Sequence, residues 1–263
     1  MAQSGEAAPV DTALVDTAPR IGARESRTWN PGPRRIVAEI VGAFGLTAVA
    51  GLGDVAGFVT GGEVTPVARA IAPGLFVMAF IYAIGDVSGL HINPVVTLGF
   101  TLKRLFPARW LPAYWVAQIV GATLAGLLLV LLFGHDAATH AVTEPHGIEP
   151  WVAVALEIIL SGILVAVILG TADRAHLVGP NAAIAVGATI ILCGLVALPL
   201  EGASMNPVRS MGPALATLDL GSLWIYLVGP IVGAFLAVGF MDFVHGERHD
   251  LDKALEAARG RRG

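Results

Sequence analysis

GASMNPVRS, residues 202–210, has a near copy in GLHINPVV, residues 89–96. Both copies contain an Asn-Pro step, and asparagine at the N-cap followed by proline at the first helical position predicts a helix start. The two predicted helices, Asn93 to Lys103 and Asn206 to Thr217, would each rise roughly 16 to 18 Å. That is about half of a ~30 Å hydrocarbon core. Two such half-helices, entering from opposite faces, would meet at the membrane midplane, whereas the alternative is a pair of amphipathic surface helices.

The composition is that of an integral membrane protein. Hydrophobic residues make up 55% and charged residues 14% of the 263 residues, which is more apolar than an ordinary soluble domain. Six apolar stretches are long enough to cross a bilayer: residues 36–56, 71–87, 112–133, 150–171, 179–199 and 222–244. The half-helices fall between spans two and three and between spans five and six.

The charges predict an organisation around these spans. Residues 1–33 are poor in large apolar side chains, so we expect a disordered tail, followed by a membrane domain over 34–244 and a second tail over 245–263. Six spans put most Lys and Arg residues on one side and leave Arg69 and Arg209 on the other. Because cytoplasmic segments collect Lys and Arg, both tails are expected in the cytoplasm.

The membrane domain is a duplication. Its halves, about 34–133 and 150–244, correspond when they are aligned on the Asn-Pro steps. The matching positions are Gly74 with Gly187, Gly89 with Gly202, Ala38-Glu39-Ile40 with Leu156-Glu157-Ile158, and residues 118–122 with 230–234. Each half has three spans, an odd number, so the second half is inverted relative to the first. Asn93 and Asn206 are therefore expected to face each other.

Paired Asn-Pro half-helices in an inverted repeat of this length resemble the aquaporin, or major intrinsic protein, family. The resemblance covers about residues 34–244 and rests on the motifs Ala38-Glu39, residues 88–97, Leu156-Glu157, residues 204–210, Gly212-Pro213 and Gly229-Pro230. It implies an all-α membrane protein with six transmembrane helices and two re-entrant half-helices. It also implies a passive channel, not an enzyme, that passes water and small uncharged solutes through one pore per subunit of a homotetramer. The location implied is a cell or inner membrane, with lipid around the protein and with no cofactor, metal ion or nucleic-acid partner.

The pore-centre residues carried over from the family are the two Asn-Pro-Val triplets: Asn93, Pro94, Val95 and Asn206, Pro207, Val208. The asparagine amides and the converging helix N-termini would hydrogen-bond a solute and repel cations, protons included. The family usually has alanine where this chain has Val95 and Val208. The larger side chains are expected to change the packing of the half-helices or to narrow the pore.

Two irregular segments precede the half-helices and are expected to expose backbone carbonyls to a wet cavity. These rows, here called the carbonyl ladders, are Gly89, Leu90 and His91 in the first half and Gly202, Ala203 and Ser204 in the second. The His91 side chain is expected to pack behind its ladder and not to bind a metal ion.

Glu39 and Glu157 occupy equivalent places in spans one and four. A carboxylate inside a membrane span is costly and usually functional. The resemblance implies that the two side chains support the re-entrant loops by accepting backbone N–H bonds. The alternative is a proton relay.

The resemblance places Arg209 in a selectivity filter with Pro73, Gly194 and Ala203. A fixed cation there deters cations and donates hydrogen bonds to a solute. None of its three companions is aromatic or large, which predicts a filter wide enough for glycerol, urea, or metalloid acids such as boric and arsenious acid. The set Ser210, Ala214, Tyr226 and Leu227 resembles the nodulin-26-like subgroup, whose members pass such solutes.

A different class of membrane protein remains open at the level of sequence. Secondary transporters also contain inverted repeats and broken helices, and their coupling-ion sites would have to use Glu39 and Glu157. An enzyme is disfavoured, because the sequence has no metal-ligand cluster, nucleophile elbow or phosphate-binding loop. Cys193 is the single cysteine, which excludes an internal disulfide.

Overall fold

The computed structural model describes residues 32–173 and 181–245, and these residues form helices and turns without a β-strand. The two predicted tails lie almost entirely outside the described residues. The helices are α1 Pro33–Val59, α2 Pro66–Ser88, α3 Pro94–Leu102, α4 Leu111–Phe133, α5 His135–Ala138, α6 Pro150–Asp173, α7 Ala182–Glu201, α8 Pro207–Thr217 and α9 Leu223–His245. The all-α fold expected from the sequence is confirmed.

Six of these helices are long and apolar enough to cross a membrane: α1, α2, α4, α6, α7 and α9. The bounds of α1 and α2 extend the predicted spans by a few residues, because each begins at a proline outside the apolar window, whereas α7 and α9 begin slightly later than predicted. Pro33 opens α1 and Pro66 opens α2, each near the first helical position, where its missing N–H costs nothing. The chain is therefore a multi-pass membrane protein.

The helices pack as the predicted duplication requires. Helix α1 packs against α4, and its counterpart α6 packs in the same way against α9. The counterparts α2 and α7 pack against each other, while the half-helices α3 and α8 lie inside the bundle and touch at their ends. The two half-helices thus pack against long helices from both halves of the chain.

Glycines bring equivalent backbones into close contact in the two halves. A side chain at Gly121 of α4 would clash with the carbonyl oxygen of Ile40 in α1. The equivalent contact joins α9 to α6, where a Cβ at Gly233 would come within 2.5 Å of the carbonyl oxygen of Ile158. Small residues allow membrane helices to approach this closely. The matching contacts support the inverted repeat that the sequence predicts.

The outer surface of the bundle is apolar. Large hydrophobic side chains such as Val116, Leu131, Leu236 and Phe243 are more than half exposed. Polar side chains such as Glu39 are buried among the helices instead. Apolar side chains outside and polar side chains inside are typical of a helix bundle that is surrounded by lipid.

Candidate functional site

Each half-helix is capped by the asparagine that the sequence singles out. The side-chain oxygen of Asn93 accepts the N–H of Val95 at 3.0 Å, and that of Asn206 accepts the N–H of Val208 at 3.2 Å. Both asparagines have extended backbone, and a proline follows each of them at the start of the helix. The helix starts expected from the sequence are confirmed.

The two asparagines also link the halves of the chain. The side-chain amide of Asn93 donates to the carbonyl oxygen of Met205 at 2.8 Å, and the amide of Asn206 donates to that of Ile92 at 2.9 Å. Each asparagine thus bonds to the residue that directly precedes the other. The N-termini of α3 and α8 meet at this point, so the partial positive charges of both helices converge there.

The segments before the half-helices have an unusual backbone. Four residues that carry a Cβ have positive φ: Leu90 has φ 44° and Ile92 has φ 43°, while Ala203 has φ 45° and Met205 has φ 52°. Such left-handed conformations are strained for residues with a Cβ. Strained backbone persists only where surrounding contacts hold it in place, so these two segments need partners that fix their conformation.

Glu39 holds the first segment. Its carboxylate is fully buried and accepts the N–H of His91 at 2.9 Å and the N–H of Ile92 at 2.7 Å. It also accepts the hydroxyl of Ser88 at 2.7 Å and the amide of Gln118 at 2.8 Å. Four donors thus surround one carboxylate, which compensates the cost of its burial.

Glu157 holds the second segment in the equivalent way. It accepts the N–H of Ser204 at 2.7 Å and the N–H of Met205 at 2.9 Å. Its third contact is the side chain of Glu201, which lies where the first half has a serine. Glu201 is itself fully buried, and one of its oxygens accepts the N–H of Ala203 at 3.0 Å.

A continuous cavity of about 230 Å³ runs past both asparagines. One end, here called the Arg69 mouth, is lined by Arg69, Ala70 and Arg209, and the other end, here called the Thr171 mouth, is lined by Thr171, Ala172 and Ala182. The segments that contain the predicted carbonyl ladders line the cavity between the mouths. The lining thus reaches from residues near one end of the long helices to residues near the other end, as the lining of a pore would.

The four residues predicted to form a filter all line this cavity. They are Pro73 on α2, Gly194 on α7, Ala203 before α8 and Arg209 on α8. Arg209 is buried, and its guanidinium donates to a carboxylate oxygen of Asp54 at 2.9 Å. The structure therefore places all four predicted filter residues in the lining of one cavity.

The two valines that depart from the family motif point away from the pore. Val95 and Val208 are each 1% exposed, and neither lines the cavity. Val95 packs in a cluster with Val165 and Leu169 of α6 and with Ala234 and Met241 of α9. The sequence left two effects of the larger side chains open, a change in packing or a narrower pore. The structure favours the change in packing, because the valines lie away from the cavity.

His91 lies behind its loop among aromatic rings. Its imidazole stacks on Phe100 at a centroid distance of 4.7 Å, and Nδ1 lies 3.2 Å from the hydroxyl of Thr97. Residues 32–173 and 181–245 contain no group of His, Cys, Asp or Glu side chains that could hold a metal ion.

Sequence reasoning missed two acidic residues of the site, Asp54 and Glu201. Each had a signal. Asp54 is a carboxylate within the first apolar span, and such residues are rare and usually functional. Glu201 directly precedes Gly202, at the place where the first half has Ser88 before Gly89.

Known proteins share this chain's sequence and fold. A family model described as "Major intrinsic protein" matches residues 25–241. Aquaporin NIP1-1 of Zea mays is 46% identical over 205 residues, which cover 78% of this chain and 72% of that protein. Aquaporin NIP1-4 of Oryza sativa subsp. japonica is 43% identical over 199 residues, which cover 76% and 72%.

A solved structure extends the comparison. The aquaglyceroporin from Plasmodium falciparum matches with a TM-score of 0.73 and 28% identity, over 83% of this chain and 98% of that one. Proteins of this family are channels and not enzymes. The chain belongs to the major intrinsic protein family and is a passive membrane channel for water and small solutes.

Proposed function

We propose that this channel passes small uncharged polar solutes in addition to water, with glycerol, urea, and boric or arsenious acid as the candidate classes. The observation that carries the proposal is the lining of the cavity near Arg209. Its companions there are Pro73, Gly194 and Ala203, and none of them carries a ring larger than that of proline. Two of the three have no side chain beyond a methyl group, which supports a filter wide enough for solutes larger than water.

The donors along the pore suit such solutes. Arg209 at one end and the asparagines at the centre offer N–H groups to hydroxyl or carbonyl oxygens. The converging N-termini of α3 and α8 add partial positive charge at the centre, which opposes the passage of cations and protons. The aquaglyceroporin match and the nodulin-26-like relatives are in keeping with this solute class.

The carboxylates that a coupled transporter would need have another role in this proposal. Glu39 and Glu157 accept backbone N–H groups of the loops and do not line the cavity. We assign them to loop support. Passive conduction through a pore held open by these contacts needs no coupling ion.

In the proposed topology the protein lies in the cell or inner membrane, and both of its termini are on the cytoplasmic side. Arg34, Lys103 and Arg104 lie toward the Thr171 mouth by the order of the spans, and cytoplasmic segments collect such residues. The Arg69 mouth is then the outer one. A homotetramer, with lipid around it and one pore per subunit, is proposed from the family resemblance.

The test is solute flux in reconstituted vesicles. Stopped-flow light scattering under gradients of water, glycerol, urea and boric acid should show solute permeability above that of empty vesicles. Arg209→Ala should change the permeability to the larger solutes relative to water and weaken the exclusion of cations. Swelling in water gradients with solute fluxes equal to those of empty vesicles would contradict the proposal.

A further inference from the structure

Three charged side chains from three helices meet at the Arg69 mouth. Asp54 lies in the last third of α1, Arg69 in the first turn of α2, and Arg209 in the first turn of α8. One oxygen of Asp54 accepts two bonds from the Arg69 guanidinium, at 2.8 and 2.6 Å. The other oxygen accepts the bond from Arg209. A single carboxylate thus bridges two arginines.

The surface of α1 is shaped to receive Arg69. A Cβ at Gly53 would lie 3.5 Å from Cγ of Arg69, and a Cβ at Gly57 would lie 3.3 Å from its Cδ. The two glycines are four residues apart and therefore share a helix face. The aliphatic part of Arg69 lies along this face, which aims its guanidinium at Asp54.

The three charged residues differ in how exposed their side chains are and in whether they line the cavity. Both arginines line the cavity, whereas Asp54 does not. The Asp54 and Arg209 side chains are 7% and 8% exposed, and Arg69 is 26% exposed. The Nη1 of Arg209 is buried and has no hydrogen-bond partner among the described residues. Arg209 therefore keeps an N–H group that no described residue uses.

We infer that Asp54 is a positioning residue for solute selection and that Arg69 is a second solute-contacting cation of the filter. Asp54 holds the Arg209 guanidinium against α1, which keeps it from entering the lumen. Arg69 presents its guanidinium beside that of Arg209. The pair fits an uncharged solute with two or more oxygen acceptors, which can accept from both guanidinium groups at once.

Charge balance favours neutral solutes at this mouth. Two arginines and one aspartate leave the cluster with one net positive charge, which deters cations. The aspartate also avoids the cost of burying two unpaired arginines side by side in a medium of low dielectric. Removing Asp54 would leave two arginines facing each other. Their repulsion, together with the lost bond, would displace Arg209 from the wall.

This inference rests on the proposed solute class, and the test separates the two. The readout is the ratio of glycerol or boric acid permeability to water permeability in proteoliposomes, because that ratio does not depend on how many channels fold. Asp54→Ala should lower the ratio by about tenfold, the factor expected from losing one charge-assisted hydrogen bond. Asp54→Asn should lower it less, since the amide oxygen still accepts a bond.

Arg69→Gln should lower the same ratio, and the double variant Asp54→Ala/Arg69→Gln should fall short of the product of the two single effects, since both residues belong to one cluster. The matched control is Asp136→Asn, because the Asp136 side chain is fully exposed on the α4–α6 connection. Its ratio should equal that of the unmodified channel.

Two outcomes are distinct. If the ratio is unchanged in Asp54→Ala, Asp54→Asn and Arg69→Gln while Arg209→Ala changes it, the inference is wrong and the proposed solute class survives. If the unmodified channel passes no solute above empty vesicles, the proposed solute class itself fails. Should Asp54→Ala not fold, Asp54→Asn and Arg69→Gln carry the test.

Discussion

Ser88 and Glu201 occupy equivalent positions in the two repeats and contact equivalent glutamates with different chemical groups. Each precedes the glycine that ends its helix, and the carbonyl oxygen of each accepts a tyrosine hydroxyl, from Tyr114 at 2.9 Å and from Tyr226 at 2.6 Å. The Ser88 hydroxyl donates to Glu39. Glu201 can replace that bond to Glu157 only if its carboxyl carries a proton, because a carboxylate is an acceptor alone.

The first prediction concerns this proton. Glu201→Gln should fold and conduct like the unmodified channel, because its amide can donate to Glu157. The variant should lose an infrared carbonyl band of a protonated carboxylic acid. Glu201→Ala should lower the free energy of unfolding by about 1–3 kcal/mol, since Glu157 loses a buried donor. An unchanged infrared band in Glu201→Gln would show that the proton is not on this side chain.

The second prediction concerns loop support by Glu39. Glu39→Ala removes the acceptor for the N–H groups of His91 and Ile92 and leaves both buried, at a cost of about 1–3 kcal/mol each. Thermal unfolding in detergent should show a large loss of stability and a low folded yield. Glu63→Ala is the matched control, since Glu63 is exposed. Equal stability of the two variants would contradict the role given to Glu39.

The third prediction concerns the bonds that cross between the repeats. Asn93→Ala removes the cap of α3 and the donor to Met205. The lost cap costs about 1 kcal/mol and the unpaired carbonyl about 1–3 kcal/mol. Water permeability per folded channel should fall, because the end of α3 is no longer fixed. Asn206→Ala should have a similar effect through Ile92, and a normal permeability in both variants would rule out this account of the pore centre.

The fourth prediction uses two glycines of α9. Gly233→Ala places a methyl group 2.5 Å from the Ile158 carbonyl, which forces α6 and α9 apart at a cost of about 1–3 kcal/mol. Gly239→Ala meets nothing within 4 Å and should be neutral or slightly stabilising. In thermal unfolding, Gly233→Ala should therefore have a lower melting temperature than Gly239→Ala. The same melting temperature in both variants would argue against close packing at Gly233.

The fifth prediction tests the width of the filter. Pro73→Phe places a ring in the cavity and should reduce glycerol permeability about tenfold or more, while water, being smaller, is affected less. Leu75→Phe is the control, because Leu75 on the same helix is 51% exposed and does not line the cavity. Glycerol flux through Pro73→Phe that equals the control's would exclude a constriction at this residue.

The sequence alone predicted the membrane class, the six spans, the half-helices and the inverted repeat, because apolar length and Asn-Pro caps are local signals. It also predicted that Asn93 and Asn206 face each other, since the inversion requires it. It did not predict that Asp54 bridges Arg69 and Arg209, because this contact depends on how α1, α2 and α8 are placed in three dimensions. Nor could spacing show that Val95 faces α6 and α9 and not the lumen.

The crossed amide bonds of Asn93 and Asn206 have an evolutionary consequence. Half of this chain in a membrane by itself would leave a loop carbonyl and an asparagine amide without the protein partners that they have in the full chain. Such a half would need an oppositely oriented copy of itself to complete the bonds. The ancestor of the doubled gene is thus best pictured as a dual-topology homodimer, and the divergence of Glu201 from Ser88 as a specialisation that fusion made possible.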